Sequence, residues 1–166
     1  LTKYFHILNV LSLKTNLLVE GALTAQKDNN PVVYVMCTRG LMEHAGSFSY
    51  LSQKLEKAKI HLEKQKTSKK IRLKISQILK DLDKSYYGSS FFGSENSTPI
   101  PVHTSDLMRS LKKDMASAER HYDFLCEFVH PNYGSNLFVS EGEFGEGRAK
   151  VDTPRNRDVF KGAASG

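Results

Sequence analysis

The chain has 166 residues, 39% of them apolar and 25% charged, enough for one domain with a sizeable core. Lys14 and Glu20 interrupt the apolar N-terminal stretch, which excludes a membrane span, and with Asn9 and Asn16 they break the apolar run of a secretory signal. The net charge of +6 is unevenly spread: Lys54 to Lys84 holds eleven Lys or Arg against four acids. This local excess predicts either a polyanion partner or a pair of solvated basic helices.

Residues 2 to 27 predict a first helix, with Leu8, Leu11, Leu18 and Ala22 at helical spacing. Asn29, Asn30 and Pro31 form a turn, and Pro31 suits the first position of the next helix. The second helix is expected from about Val32 to Gln65. Its seam of Cys37, Leu41, His44, Phe48, Leu51 and Leu55 alternates spacings of four and three, and continues through Ala58 and Leu62. Gly40 and Gly46 flank His44, where glycine predicts a close helix approach or a ligand.

Thr67 and Ser68 can cap a third helix through about Lys84, with Ile71, Leu73, Ile75, Ile78, Leu79 and Leu82 on its apolar side. Ser85 to His103 reads as a long loop carrying Tyr86, Tyr87, Phe91 and Phe92. Thr104 or Ser105 should cap a fourth helix, with Asp106 in its first turn. Leu111, Met115, Ala118, Tyr122, Leu125 and Val129 form its seam, and Pro131 ends it at His130. Beyond Gly134 the chain is Gly-rich, with a short hairpin expected from Asn136–Ser140 and Arg148–Val151. The predicted architecture is all-α: a four-helix up-and-down bundle over residues 1–133, then a loop-rich extension over 134–166. Leu1 in place of Met, and the run Gly162 to Gly166, suggest the cut ends of a fragment.

Cys37 and Cys126 lie among apolar neighbours without zinc-ligand spacing, and are expected to be reduced core thiols of a cytoplasmic protein.

Two polar clusters carry the chemistry. Arg39 and Glu43 are four residues apart on one helix face, with His44 alongside. Asp123, Glu127 and His130 are spaced i, i+4, i+7, with Pro131 and Asn132 following. Polar groups in a helix core are unfavourable without partners, so the two clusters are expected to meet. One reading is a buried network that sets helix register. Another is metal-independent cleavage of RNA. A histidine would take the proton of a ribose 2′-hydroxyl, while Arg39 stabilises charge on the phosphate. Lys69, Lys70 and Arg72 would hold the backbone, and the aromatics at 86–92 would stack bases. A metal reading rests on Glu127-Phe128-Val129-His130, a Glu-x-x-His spacing whose second copy the chain lacks.

Arg39-Gly40-Leu41-Met42-Glu43-His44 resembles the Arg-x4-His signature of the HEPN superfamily, all-helical domains that include many RNases of toxin–antitoxin and phage-defence systems. Tyr122 to Asn132 is similar to a Tyr-x-x-Leu-x-Glu-x-Val-His-Pro segment of bacterial helical proteins near that group. The resemblance spans roughly residues 30 to 135. It implies a candidate endoribonuclease with Arg39, Glu43, His44 and His130 as catalytic residues. Glu127, Asn132, Lys69, Lys70 and Arg72 are then the substrate contacts. No cofactor or metal is implied, and the expected partners are RNA and a second copy of the chain, without a membrane. The alternative expectation is a non-catalytic, self-associating helical module.

Overall fold

A computed structural model describes residues 2–64, 67–87, 101–130, 140–141 and 148–149. Over these residues the fold is all-α apart from one minimal strand pair. The helices are α1 (Thr2–Lys27), α2 (Pro31–Glu63), α3 (Ser68–Tyr87), α4 (Thr104–Leu111) and α5 (Ala118–Val129). Strands β1 (Ser140–Glu141) and β2 (Arg148–Ala149) pair antiparallel, Ser140 opposite Ala149, within the expected hairpin. No helix among the described residues is long and apolar enough to cross a membrane. The chain forms two compact units, Leu1–Leu11 with Glu43–Ala116 and Ser12–Met42 with Ser117–Gly166.

The α1–α2 turn follows from three polar residues. Asn29 takes the left-handed conformation (φ 52°), which asparagine tolerates better than most residues. Its N–H then reaches Gln26 O (3.2 Å), and Asn30 N–H reaches Ala25 O (2.7 Å), closing a Schellman motif. Asn30 Oδ1 in turn accepts from Val33 N–H at 3.1 Å, capping α2. Pro31 opens α2 as expected.

In the second unit α1 and α2 run antiparallel at close range. A Cβ on Gly21 would sit 2.9 Å from Cys37 Sγ, and one on Gly40 would sit 3.1 Å from a Leu18 methyl. Gly40 therefore serves helix approach. The core of this unit is Val35, Leu125 and Phe128, with Phe124 edge-on to Phe128 at 4.9 Å. Both cysteines are free and half-buried.

In the first unit Ile7, Leu51 and Leu82 join α1, α2 and α3 around a second core. Gly46 lets α4 approach α2, since a Cβ there would lie 2.9 Å from Leu107 Cβ and 3.0 Å from its carbonyl oxygen. Ser49, one turn further along α2, is buried against the same helix.

The single fourth helix expected from 104 to 130 is two helices, separated by a turn at Lys112–Asp114 and the residues up to Ser117. No glycine or proline breaks it. In a continuous helix Ser110 O would accept from Asp114 N–H. Here Ser110 O accepts instead from Gln53 Nε2 (2.8 Å), and Asp114 N–H turns back to Leu111 O (2.9 Å). Ser49 Oγ has one proton and two acceptors in reach, Asp114 Oδ2 at 2.8 Å and Ser110 O at 3.0 Å. Tertiary hydrogen bonds from α2 thus override local helix propensity. Of the expected seam, Leu111, Ala118, Tyr122 and Leu125 are buried, and Met115 and Val129 are half-buried.

The cap of α4 also differs from expectation. It is His103, whose Nδ1 accepts from Ser105 N–H at 3.2 Å, rather than Thr104 or Ser105.

Candidate functional site

In the first unit, α2 and α4 enclose a groove of about 350 Å3. Four cations line it: Lys54 and Lys57 from α2, Arg109 from α4, and Lys113 from the turn after it. Asp106 is the one acidic residue in the lining, and Arg109 Nη1 pairs with its carboxylate at 2.9 Å. Tyr50, Gln53 and Ser110 complete the walls.

Local spacing places these groups. Lys54 and Lys57 are i, i+3 on α2, so both project to one side of the helix. Arg109 is one turn ahead of Lys113, and the hydrogen bonds of Ser110 O to Gln53 and Ser49 hold that turn against α2. The Lys54 ammonium lies 5.2 Å from the centroid of the Tyr50 ring and 3.7 Å from Asp81 Oδ2. Lys54, Lys57, Arg109 and Lys113 are all exposed at the surface. Converging cations over a polar wall suit a chain of phosphates, each contact displacing condensed counterions.

The residues expected from sequence fall elsewhere. Arg39, Glu43 and His44 are half-buried on α2. Glu43 and His44 belong to the first unit, Arg39 and His130 to the second. The Arg39 Nε–H donates to Tyr122 Oη at 3.1 Å, and its guanidinium carbon lies 5.3 Å from the centre of that ring. Arg39 therefore locks α2 to α5 by a charged hydrogen bond and a cation–π contact on one side chain.

The second cluster does not occupy a core. Asp123, Glu127 and His130 are exposed, because α5 buries the opposite face through Tyr122, Leu125 and Phe128. His130 has left the helix with extended backbone (φ −80°, ψ 148°), as the following proline requires. The burial penalty expected of this cluster is accordingly absent. Asn132, Phe91 and Phe92 lie outside the described residues, as do the side chains of Tyr86 and Tyr87. Lys69, Lys70 and Arg72 are exposed on α3 but do not line the groove. Among the described residues no three His, Cys, Asp or Glu side chains converge as a metal-ligand set.

The groove was partly visible in the sequence, since Lys54 and Lys57 fall in the basic segment. Arg109 and Lys113 lie more than fifty residues beyond them, and only the packing of α4 on α2 unites the four cations. A cationic i, i+4 spacing at 109 and 113 was the available signal. Protein-family models, curated proteins and solved structures provide no match to this chain.

Proposed function

We propose that this chain is an RNA-binding helical module whose α2–α4 groove carries the phosphate backbone. The carrying observation is that Lys54, Lys57, Arg109 and Lys113 line one groove whose lining holds one acid, Asp106, while Asp81 reaches Lys54 from beside it. An HEPN-like up-and-down bundle, with α4 and α5 together in the place of a fourth helix, is the architecture this reading supposes. The cytoplasmic defence-system setting implied by the HEPN resemblance belongs to the same proposal, as does self-association.

We read the module as binding RNA rather than cleaving it. Cleavage would assign Arg39, Glu43, His44 and His130 to proton transfer and phosphate stabilisation. Arg39 is instead engaged with Tyr122 through both its Nε–H and its cationic face. A half-buried arginine fixed in this way has a structural task of its own.

The test is to incubate purified protein with labelled single-stranded RNA in EDTA, alongside His44→Ala and His130→Ala. Retarded but intact RNA, equal for all three proteins, is the expected result. Cleavage by the wild type that either substitution abolishes would overturn the non-catalytic reading.

A further inference from the structure

A second hollow adjoins the groove. It is a cleft of about 180 Å3 between α2 and α3. Leu51, Leu55 and Ala58 from α2 and Ile78 and Leu82 from α3 form its apolar surface. Lys74, Gln77 and Asp81 add polar groups on the α3 side. Lys54 and Lys57 line both the cleft and the groove, so the two share a cationic border.

This combination constrains the occupant. The cleft is smaller than the ~300–1,000 Å3 of a typical drug-sized pocket, so it suits one flat ring rather than an acyl chain. Its apolar walls disfavour a bare phosphate. Its cationic border requires an anion beside the ring. A nucleotide within a strand supplies both, because each base is one sugar away from its phosphate. Asp81 adds a preference among bases. Two of its contacts are long, Oδ1 accepting from Gln77 Nε2 at 3.3 Å and Oδ2 lying 3.7 Å from Lys54 Nζ, and a better donor can displace these two. An ionised carboxylate only accepts hydrogen bonds, and it accepts best from two adjacent donors. Guanine presents such a pair, N1–H and the N2 amino group, on its Watson–Crick edge.

We propose that groove and cleft form one site for single-stranded RNA, the groove holding phosphates and the α2–α3 cleft receiving one base, with Asp81 selecting guanine. This inference rests on the RNA-binding reading. Single-strand binders combine a cationic track with a surface that receives bases; that surface is commonly aromatic, and here it is aliphatic.

The test is fluorescence anisotropy with three labelled RNA nonamers: all-uridine, uridine with one central guanosine, and uridine with one central abasic residue. The guanosine strand should bind about tenfold tighter than the abasic strand, the scale of burying roughly 50 Å2 of ring surface against aliphatic walls. It should also bind several-fold tighter than all-uridine RNA. Asp81→Asn should erase the guanosine preference and, by releasing Lys54 from its carboxylate, tighten binding of all-uridine RNA. Gln77→Ala, at an exposed position, should fold normally and keep or raise the preference, because it removes a donor that guanine displaces. Equal, salt-sensitive binding of all three strands would overturn the cleft assignment and leave the groove reading intact. Inorganic polyphosphate competing as well as the guanosine strand, phosphate for phosphate, would also overturn it. No binding of any strand at low salt would overturn both.

Discussion

Replacing Tyr122 by Phe tests whether Arg39 is held as a structural anchor. The substitution removes one hydroxyl and leaves the ring in place, so it opens no cavity in the core beside Leu125 and Phe128. It deletes the 3.1 Å hydrogen bond from Arg39 Nε and keeps the cation–π contact at 5.3 Å. Hydrogen bonds to charged groups contribute about 1.5–3 kcal/mol. Arg39 is only half-buried, so water compensates part of the loss, and about 1–1.5 kcal/mol is expected. The retained cation–π contact is worth about 0.5–1 kcal/mol. Tyr122→Ala removes both contacts and the buried ring, for about 3–5 kcal/mol. The assay is urea denaturation of the wild type, Tyr122→Phe, Arg39→Met and the double variant. Both residues have further contacts, so the coupling energy of the cycle isolates their mutual term, expected at about 1 kcal/mol. A neutral Tyr122→Phe with coupling below about 0.3 kcal/mol would refute the anchor, and with it the argument against a catalytic Arg39.

Two further outcomes follow from the α2–α4 contact. Gly46→Ala gains about 1 kcal/mol of helix propensity but drives a methyl group against Leu107 Cβ and its carbonyl. Overpacking of this kind costs about 1–3 kcal/mol, so a net fall in the thermal midpoint is expected by calorimetry. Ser49→Ala removes a buried hydroxyl from Asp114 and Ser110, for a loss of about 1–2 kcal/mol in chemical denaturation. That variant should also loosen the Lys112–Asp114 turn, read as faster amide hydrogen exchange there than in α5.

The legible part of this chain was what local chemistry decides. The bounds of α1 and α2 follow from periodicity and from Asn29, Asn30 and Pro31, and the structure reproduces them nearly residue for residue. The role of Gly46 was half legible, because a glycine inside a helix signals either a neighbour or a ligand, and Leu107 is the neighbour. What escaped the sequence was set by long-range partners. No glycine or proline lies between Leu111 and Ala118, yet Gln53 and Ser49 claim the carbonyl of Ser110. The second polar cluster was misread for a related reason. Asp123 and Glu127 share a stretch with apolar residues, but an amphipathic helix sends the two sets to opposite faces, and only packing shows which face is covered. The cationic groove escaped because charge was counted along the chain, whereas Lys113 and Lys57 line one groove only through the fold.

The salt dependence of RNA binding tests the groove most directly. For single strands the logarithm of affinity falls against the logarithm of salt with a slope of about −0.7 per phosphate neutralised. Four groove cations set a limiting slope of about −2.8, which Asp106 and Asp81 make shallower through Arg109 and Lys54, and replacing Lys57 and Lys113 together by Ala should remove about 1.4 of it. The same double replacement at Lys69 and Lys70, which lie outside the groove, should leave the slope near its wild-type value. A slope unchanged by Lys57→Ala with Lys113→Ala, or reduced equally by the pair on α3, would contradict the assignment of the groove as the site.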